Sequence, residues 1–187
     1  WGGKMRSFIA IDMSDELKRE IAEIQEEFRF LRGVKFVKPE QAHLTLKFLG
    51  EVPESRINAL KRALDEVRAE AFEMRLRGVG VFPNERRIRV IWVGVEDSAA
   101  LNALHAEIEA RLNRLGFRRE PLSPHVTLCR VKSMSGEEKS LTLKKLGELS
   151  DKNFGKMLVS EVKLKKSVLT PKGPIYEDVY IKTLREG

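Results

Sequence analysis

His43-Leu44-Thr45-Leu46-Lys47-Phe48-Leu49-Gly50 and His125-Val126-Thr127-Leu128-Cys129-Arg130-Val131 are the stretches on which the reading of the fold turns. Each begins with a polar–apolar alternation suited to a pleated strand. Residues i and i+2 of a strand share a face. His43 therefore stands beside Thr45 and His125 beside Thr127. Leu44, Leu46, Val126 and Leu128 point to the opposite face, where a core is expected. The same alternation puts Cys129 on the histidine face. Only three His and five Thr occur in 187 residues, so the duplicated His-X-Thr pattern is not a product of composition. The third histidine, His105, lies between Leu104 and Ala106 on an expected helix and reads as structural or surface.

Outward from these strands, the chain alternates between the two periodicities. Arg6–Asp12 is a short apolar run expected to form a buried strand. Ser14 is an N-cap for a helix carrying Leu17, Ile21, Ile24 and Phe28 and stopping near Gly33. Lys35–Lys38 is a brief strand broken by Pro39. Pro53 opens a helix with Ile57, Leu60, Leu64 and Val67 inward. Strands are expected over Glu73–Val81 and Ile88–Val95, separated at Pro83-Asn84. Ser98 starts a helix with Leu101, Leu104, Ile108 and Leu112 inward, closed by Gly116. Glu137–Leu149 is expected to be helical and Asn153-Phe-Gly155 a turn. The last strands are expected over Met157–Ser167 and Glu177–Leu184, joined across Pro171–Pro174. Many strands joined by short turns predict an α+β fold with largely antiparallel sheet. A strand, a helix and a strand opening on His-X-Thr occur once in each half.

Composition removes several classes. The chain carries 35 Lys plus Arg against 28 Asp plus Glu, a net charge of +7, spread through both halves and not held in a tail. A solvated charged surface explains this more readily than a polyanionic partner does. A single Cys excludes a disulfide framework or Cys-rich zinc site and suggests a reducing, cytoplasmic compartment. No apolar run approaches a membrane span. Trp1-Gly2-Gly3-Lys4, ahead of Met5, reads as an added leader, with the fold expected over residues 5–184.

The twin motif carries chemistry. Histidine is the side chain able to act as acid or base near neutral pH. One protonated and one neutral imidazole suit acid–base attack at phosphorus, with threonine hydroxyls holding nonbridging oxygens. No metal is expected, because neither histidine has a second His, Asp, Glu or Cys two residues away. A lone His-X-Thr is more often an ordinary sheet element; the duplication is what favours function.

These residues resemble the two-histidine phosphoesterase superfamily, and within it the LigT-like RNA 2′,3′-cyclic phosphodiesterases, also called 2′-5′ RNA ligases. Supporting stretches are Arg6–Asp12, His43–Gly50, Gly80-Val-Phe-Pro83, Arg89–Gly94, His125–Arg130 and Leu164–Tyr176, so the likeness runs from Met5 to Leu184. The resemblance implies a bilobal fold of two pseudo-symmetric antiparallel lobes with outer helices around a central cleft. It implies hydrolysis of a 2′,3′-cyclic phosphate to a 2′-phosphomonoester without cofactor or metal, and reversible, ATP-independent 2′-5′ ligation. Carried over position by position, His43 and His125 form the acid–base pair, Thr45 and Thr127 bind phosphate, and Arg130 matches the family's basic residue. Expulsion of the 3′ oxygen then needs a general acid on one side and a general base on the other; His43 is assigned as proton donor and His125 as acceptor, an order the sequence itself does not decide.

Among weaker candidates, Phe48, Phe82 and Trp92 are expected to contact substrate, with core packing the competing reading. Lys165, Lys166 and Lys172 are placed along an RNA backbone, against a solvated edge. Gly78-X-Gly80 lacks the remaining glycine of a dinucleotide fingerprint. The expected partner is RNA with a 2′,3′-cyclic phosphate end, tRNA fragments being one candidate, acted on by a monomer. The alternatives are a non-catalytic RNA 3′-end binding module and a cyclic phosphodiesterase of small nucleotides.

Overall fold

The structure, a computed structural model, describes residues 3–187. The leader reading of Trp1 and Gly2 lies outside the described residues. Lys4 opens the first strand, and the Gly3 carbonyl accepts from the Glu54 N–H at 2.9 Å. The strands are β1 (Lys4–Asp12), β2 (Val34–Phe36), β3 (His43–Pro53), β4 (Phe72–Asn84), β5 (Arg87–Val95), β6 (His125–Val131), β7 (Asn153–Val159), β8 (Glu161–Thr170) and β9 (Gly173–Thr183). The α-helices are α1 (Asp15–Glu26), α2 (Ile57–Asp65), α3 (Ala99–Asn113) and α4 (Gly136–Leu149). Ser14 and Ser98 cap α1 and α3 by accepting the Leu17 and Leu101 N–H groups. Ser135 and Glu138 form a reciprocal capping box on α4, which satisfies donors a helix start leaves free.

The strands join in the order β7-β4-β5-β6-β3-β1-β8-β9, with β2 added beside β6. Every pairing between these strands is antiparallel. The order folds onto itself about the β6–β3 contact, so β3 corresponds to β6 and β1 to β5. This is the expected α+β, bilobal plan with one refinement. The lobes are not sequence halves, since β8 and β9 complete the lobe begun by β1 and β3. The joint between them is narrow, a single registered pair, Leu44 with Val126. Both are fully buried, so it is apolar packing as much as hydrogen bonding that holds the lobes together.

Helices cover one face of the sheet. Leu17, Ile21, Ile24 and Phe28 of the α1 region, Leu60 and Leu64 of α2, and Leu101, Leu104, Ile108 and Leu112 of α3 are all buried with Leu44, Leu46, Val126 and Leu128. The other face is left for the cleft.

Two expectations about strands are corrected. Asn153-Phe-Gly155 is not a turn but the start of β7. Phe154 is skipped in the register with β4, and Gly155 takes φ +116°. A glycine tolerates that conformation where other residues do not, so a bulge carries the same letters as a turn. The single strand expected over 157–167 is two strands, divided at Ser160, with β7 paired to β4 in one lobe and β8 to β1 and β9 in the other.

Candidate active site

In β3, Phe8 pairs with Phe48 and Ile9 with Lys47, but Ala10 pairs with Thr45, leaving Leu46 unmatched. In β6, Ile91 pairs with Cys129 and Trp92 with Thr127, leaving Leu128 unmatched. Both His-X-Thr strands therefore carry a bulge three residues after the histidine. A bulge admits one extra residue and exchanges the faces beyond it. Leu46 and Lys47 are both buried, as are Leu128 and Cys129, and Phe48 and Arg130 emerge on the histidine face. The expected placement of Cys129 beside His125 is thereby overturned. Its thiol is fully buried, and burial pushes its pKa up to about 12, so it holds no thiolate for chemistry. The Leu128 carbonyl accepts from the Val37 N–H and from Gln25 Nε2, each at 3.0 Å, which stabilises the bulge from the α1 side.

The joint between the lobes builds the site. With Leu44 opposite Val126, the register continued one residue either way sets His43 across from Thr127 and Thr45 across from His125. All four line one cavity of about 580 Å³, together with Arg130 and Phe48. Each imidazole is oriented in the same way. His43 Nδ1 lies 2.8 Å from the Gln41 carbonyl and His125 Nδ1 lies 2.7 Å from the Ser123 carbonyl. A carbonyl can only accept, so Nδ1 carries hydrogen in both rings and Nε2 is left for the cavity.

Aromatic rings brace each histidine. Phe8 and Tyr176 lie with ring centroids 5.1 and 5.0 Å from His43. Phe82 and Trp92 lie 4.9 and 6.2 Å from His125. Of the three aromatic candidates, Phe48 lines the cavity and is 67% exposed, whereas Phe82 and Trp92 pack against the His125 ring outside the cavity wall. Burial holds both histidines below the ordinary imidazole pKa; the Gln41 and Ser123 carbonyls oppose this, and Arg130 adds to it. His43 also has Lys165 pushing down and Asp12 pushing up.

Those last two belong to a cluster in which Lys163 and Lys165 each bridge Asp12 and Asp178. Burial raises Asp12, but the hydrogen bonds and charges of the two lysines outweigh it and hold the carboxyl low. Lys165 is buried in these pairs and Lys166 pairs with Glu177 at 3.3 Å. Of the three lysines considered for an RNA backbone, only Lys172 has no ion pair among the described residues. His105 approaches Glu109 at 3.4 Å on α3, away from the cleft.

Sequence reasoning passed over Phe8, Tyr176 and Asp12 as neighbours of the site. Their only signal was membership of the stretches Arg6–Asp12 and Leu164–Tyr176. Lys47 was passed over as well. It donates to Glu109 at 2.9 Å and to the Arg118 carbonyl at 2.7 Å. The first histidine strand thus anchors the segment that leads into the second.

Two imidazoles, each held at Nδ1 by a carbonyl, line one cavity with two threonines and an arginine. Comparison with known proteins gives the family. A family model described as LigT like Phosphoesterase matches residues 11–92 and again 93–176, each match holding one His-X-Thr motif. The chain belongs to this LigT-like phosphoesterase family. It is 39% identical over 178 residues to the RNA 2′,3′-cyclic phosphodiesterase of Archaeoglobus fulgidus, covering 95% of this chain and 99% of the relative. It is 41% identical over 182 residues to the protein of the same name from Methanothermobacter thermautotrophicus, covering 95% and 98%. Among solved structures, TT0787 of Thermus thermophilus superimposes with a TM-score of 0.81 at 33% identity, covering 97% of this chain and 99% of that one. E. coli LigT in apo form shares the fold with a TM-score of 0.79 at 24% identity, covering 98% and 99%. No helix among the described residues is long and apolar enough to cross a membrane.

Proposed function

We propose that this chain hydrolyses RNA 2′,3′-cyclic phosphate ends to 2′-phosphomonoesters, with residues 5–184 working as one bilobal domain. The observation that carries this reading is that both histidines and both threonines line a single cavity at the joint where Leu44 pairs with Val126. RNA 2′,3′-cyclic phosphodiesterase as the name of several relatives supports the substrate class.

Water attacks phosphorus in line with the 3′ oxygen. His125 Nε2 takes the proton from that water, and the bond from phosphorus to O3′ breaks as His43 Nε2–H delivers a proton to the leaving oxygen. The electron pair of the broken bond stays on O3′, and the phosphate remains on O2′. Thr45, Thr127 and Arg130 hold the nonbridging oxygens, where charge gathers in the transition state. The Nδ1–H bonds to Gln41 and Ser123 fix the tautomer that this division of labour requires. Replacing water by the 5′ hydroxyl of a second strand gives 2′-5′ ligation by the same proton movements, with no ATP consumed. The substrate end includes those of tRNA fragments. The enzyme acts as a monomer in the cytoplasm, a setting in keeping with the free, buried Cys129.

The test is product analysis with a cyclic-phosphate oligonucleotide. The expected product is the 2′-monophosphate, formed equally well in the presence of a chelator. His43→Ala and His125→Ala should each lower kcat by about 10²-fold or more. A 3′-monophosphate product overturns the leaving-group assignment, and near-normal turnover by either variant overturns the catalytic pair.

A further inference from the structure

A second cavity of about 430 Å³ opens beside the catalytic one. The two share Val37, Arg130, Pro174 and Tyr176 in their walls, so they form one continuous groove with Arg130 at the junction. The far wall is the turn between β8 and β9, tied to β2 by Lys35, whose Nζ donates to the Lys172 carbonyl at 3.3 Å. Gly173 lies under that bridge at φ +114°, and a Cβ there would meet Lys35 Nζ at 2.4 Å.

Its charge is one-sided. Lys35, Lys38, Lys172 and Arg130 line it and no carboxylate does. Among the described residues none of the four takes part in an ion pair, whereas the neighbouring Lys163, Lys165 and Lys166 are all committed to Asp12, Asp178 or Glu177. Uncommitted cations facing a cavity are a binding site for an anion that the protein itself does not supply. Beside the cations runs an apolar wall of Phe36, Pro171, Pro174 and Ile175, and Ile175 is 45% exposed. Cations beside an apolar wall match a phosphodiester carrying a flat base. The volume lies within the range that small ligands fill.

The direction of the substrate chooses the occupant. A strand ending in a 2′,3′-cyclic phosphate continues from the reacting nucleotide only through its 5′ oxygen, to one phosphodiester and one further nucleoside. With the cyclic phosphate held between His43 and His125, that neighbour enters the adjoining cavity. We infer that the second cavity binds the nucleotide on the 5′ side of the reacting one, and so makes an oligonucleotide a better substrate than a mononucleoside cyclic phosphate. This rests on the phosphodiesterase reading above.

The experiment measures kcat/KM for a mononucleoside 2′,3′-cyclic phosphate and for di- and trinucleotides ending in the same group, in the wild-type chain and in Lys38→Ala/Lys172→Ala. The wild type is expected to gain about tenfold from mono- to dinucleotide and much less from di- to trinucleotide. The double variant is expected to lose most of that gain, with a shallower salt dependence on the dinucleotide, while hydrolysing the mononucleotide within about twofold of wild type. Equal wild-type rates on mono- and dinucleotide overturn the inference. So does a variant that slows both substrates in parallel, or one that leaves the dinucleotide gain intact. If none of the cyclic phosphates turns over in the wild type, it is the phosphodiesterase reading that fails. Binding of a non-cleavable dinucleotide, measured alongside, then decides the cavity: unchanged affinity in the double variant overturns the subsite, and weakened affinity supports it.

Discussion

The two histidine strands share a frame and differ in what they place on it. Both bulge at the fourth position of the motif, at Leu46 and Leu128, and both bring the sixth residue back to the cleft. The fifth residue is buried in each, as a charged Lys47 in one lobe and an apolar Cys129 in the other. The sixth is Phe48 in one lobe and Arg130 in the other. His43 has an ion-pair cluster close by, whereas His125 is braced by Phe82 and Trp92 and feels no carboxylate. A duplicated frame sets the positions of the two histidines, proposed as acid and base; the unequal residues around it give a pseudo-symmetric cavity two distinct ends. On the proposed mechanism a phosphate would meet a symmetric pair of hydroxyls, and the nucleoside and its strand unlike walls.

The buried fifth positions offer the largest contrast. Lys47→Met leaves Glu109 buried without its cation and is expected to destabilise the fold by about 3–5 kcal/mol. Cys129→Ala at the corresponding place is expected to cost about 1 kcal/mol. Denaturant unfolding of both variants checks this, and equal losses would show that the two bulges are held by the same forces.

At the exposed sixth positions, Arg130→Ala is expected to lower kcat by about 10²–10³-fold, as removal of a donor to transition-state charge does. Phe48→Ala is expected to raise KM by about tenfold with kcat little changed, the effect of losing one stacked base. Steady-state kinetics on one oligonucleotide separates the two, and a kcat defect in Phe48→Ala would move that ring into the chemistry.

Much of this frame was legible in the sequence, because period-two alternation marks strands and the twin motif marks the cleft. The bulges were not. Leu-Lys-Phe and Leu-Cys-Arg read as continued alternation, and only the register with Phe8 and Ile91 exposes the extra residue. Lys47 drew no notice because its partner, Glu109, lies on a helix far along the chain. Lys165 looked like a guide for RNA because nothing local announces that Asp12 and Asp178 consume it. Long-range pairing decides which charges are free, and pairing is what a linear pattern omits.

The smallest contrast is in pH. Both histidines sit below the usual imidazole pKa of about 6.5. The neutral base is therefore retained to lower pH and the protonated acid is lost sooner as pH rises, so the bell-shaped profile of kcat/KM is centred on the acid side of that value. Lys165→Met removes a charge that disfavours His43 protonation and is expected to move the alkaline limb, which belongs to His43, upward. The acid limb, set by His125, should stay in place. A shift of the acid limb alone would exchange the two roles.

The single registered pair, Leu44 with Val126, is the narrowest seam of the sheet, and the histidine and threonine on either side of each line the cavity. Parting the lobes there would draw each histidine away from the threonine it faces, disabling both proton transfers in one event. On the proposed mechanism, a phosphate gripped from both sides would close the same seam. The ligand would then be a clasp between the two lobes, making mechanical integrity and catalytic readiness one property of this chain.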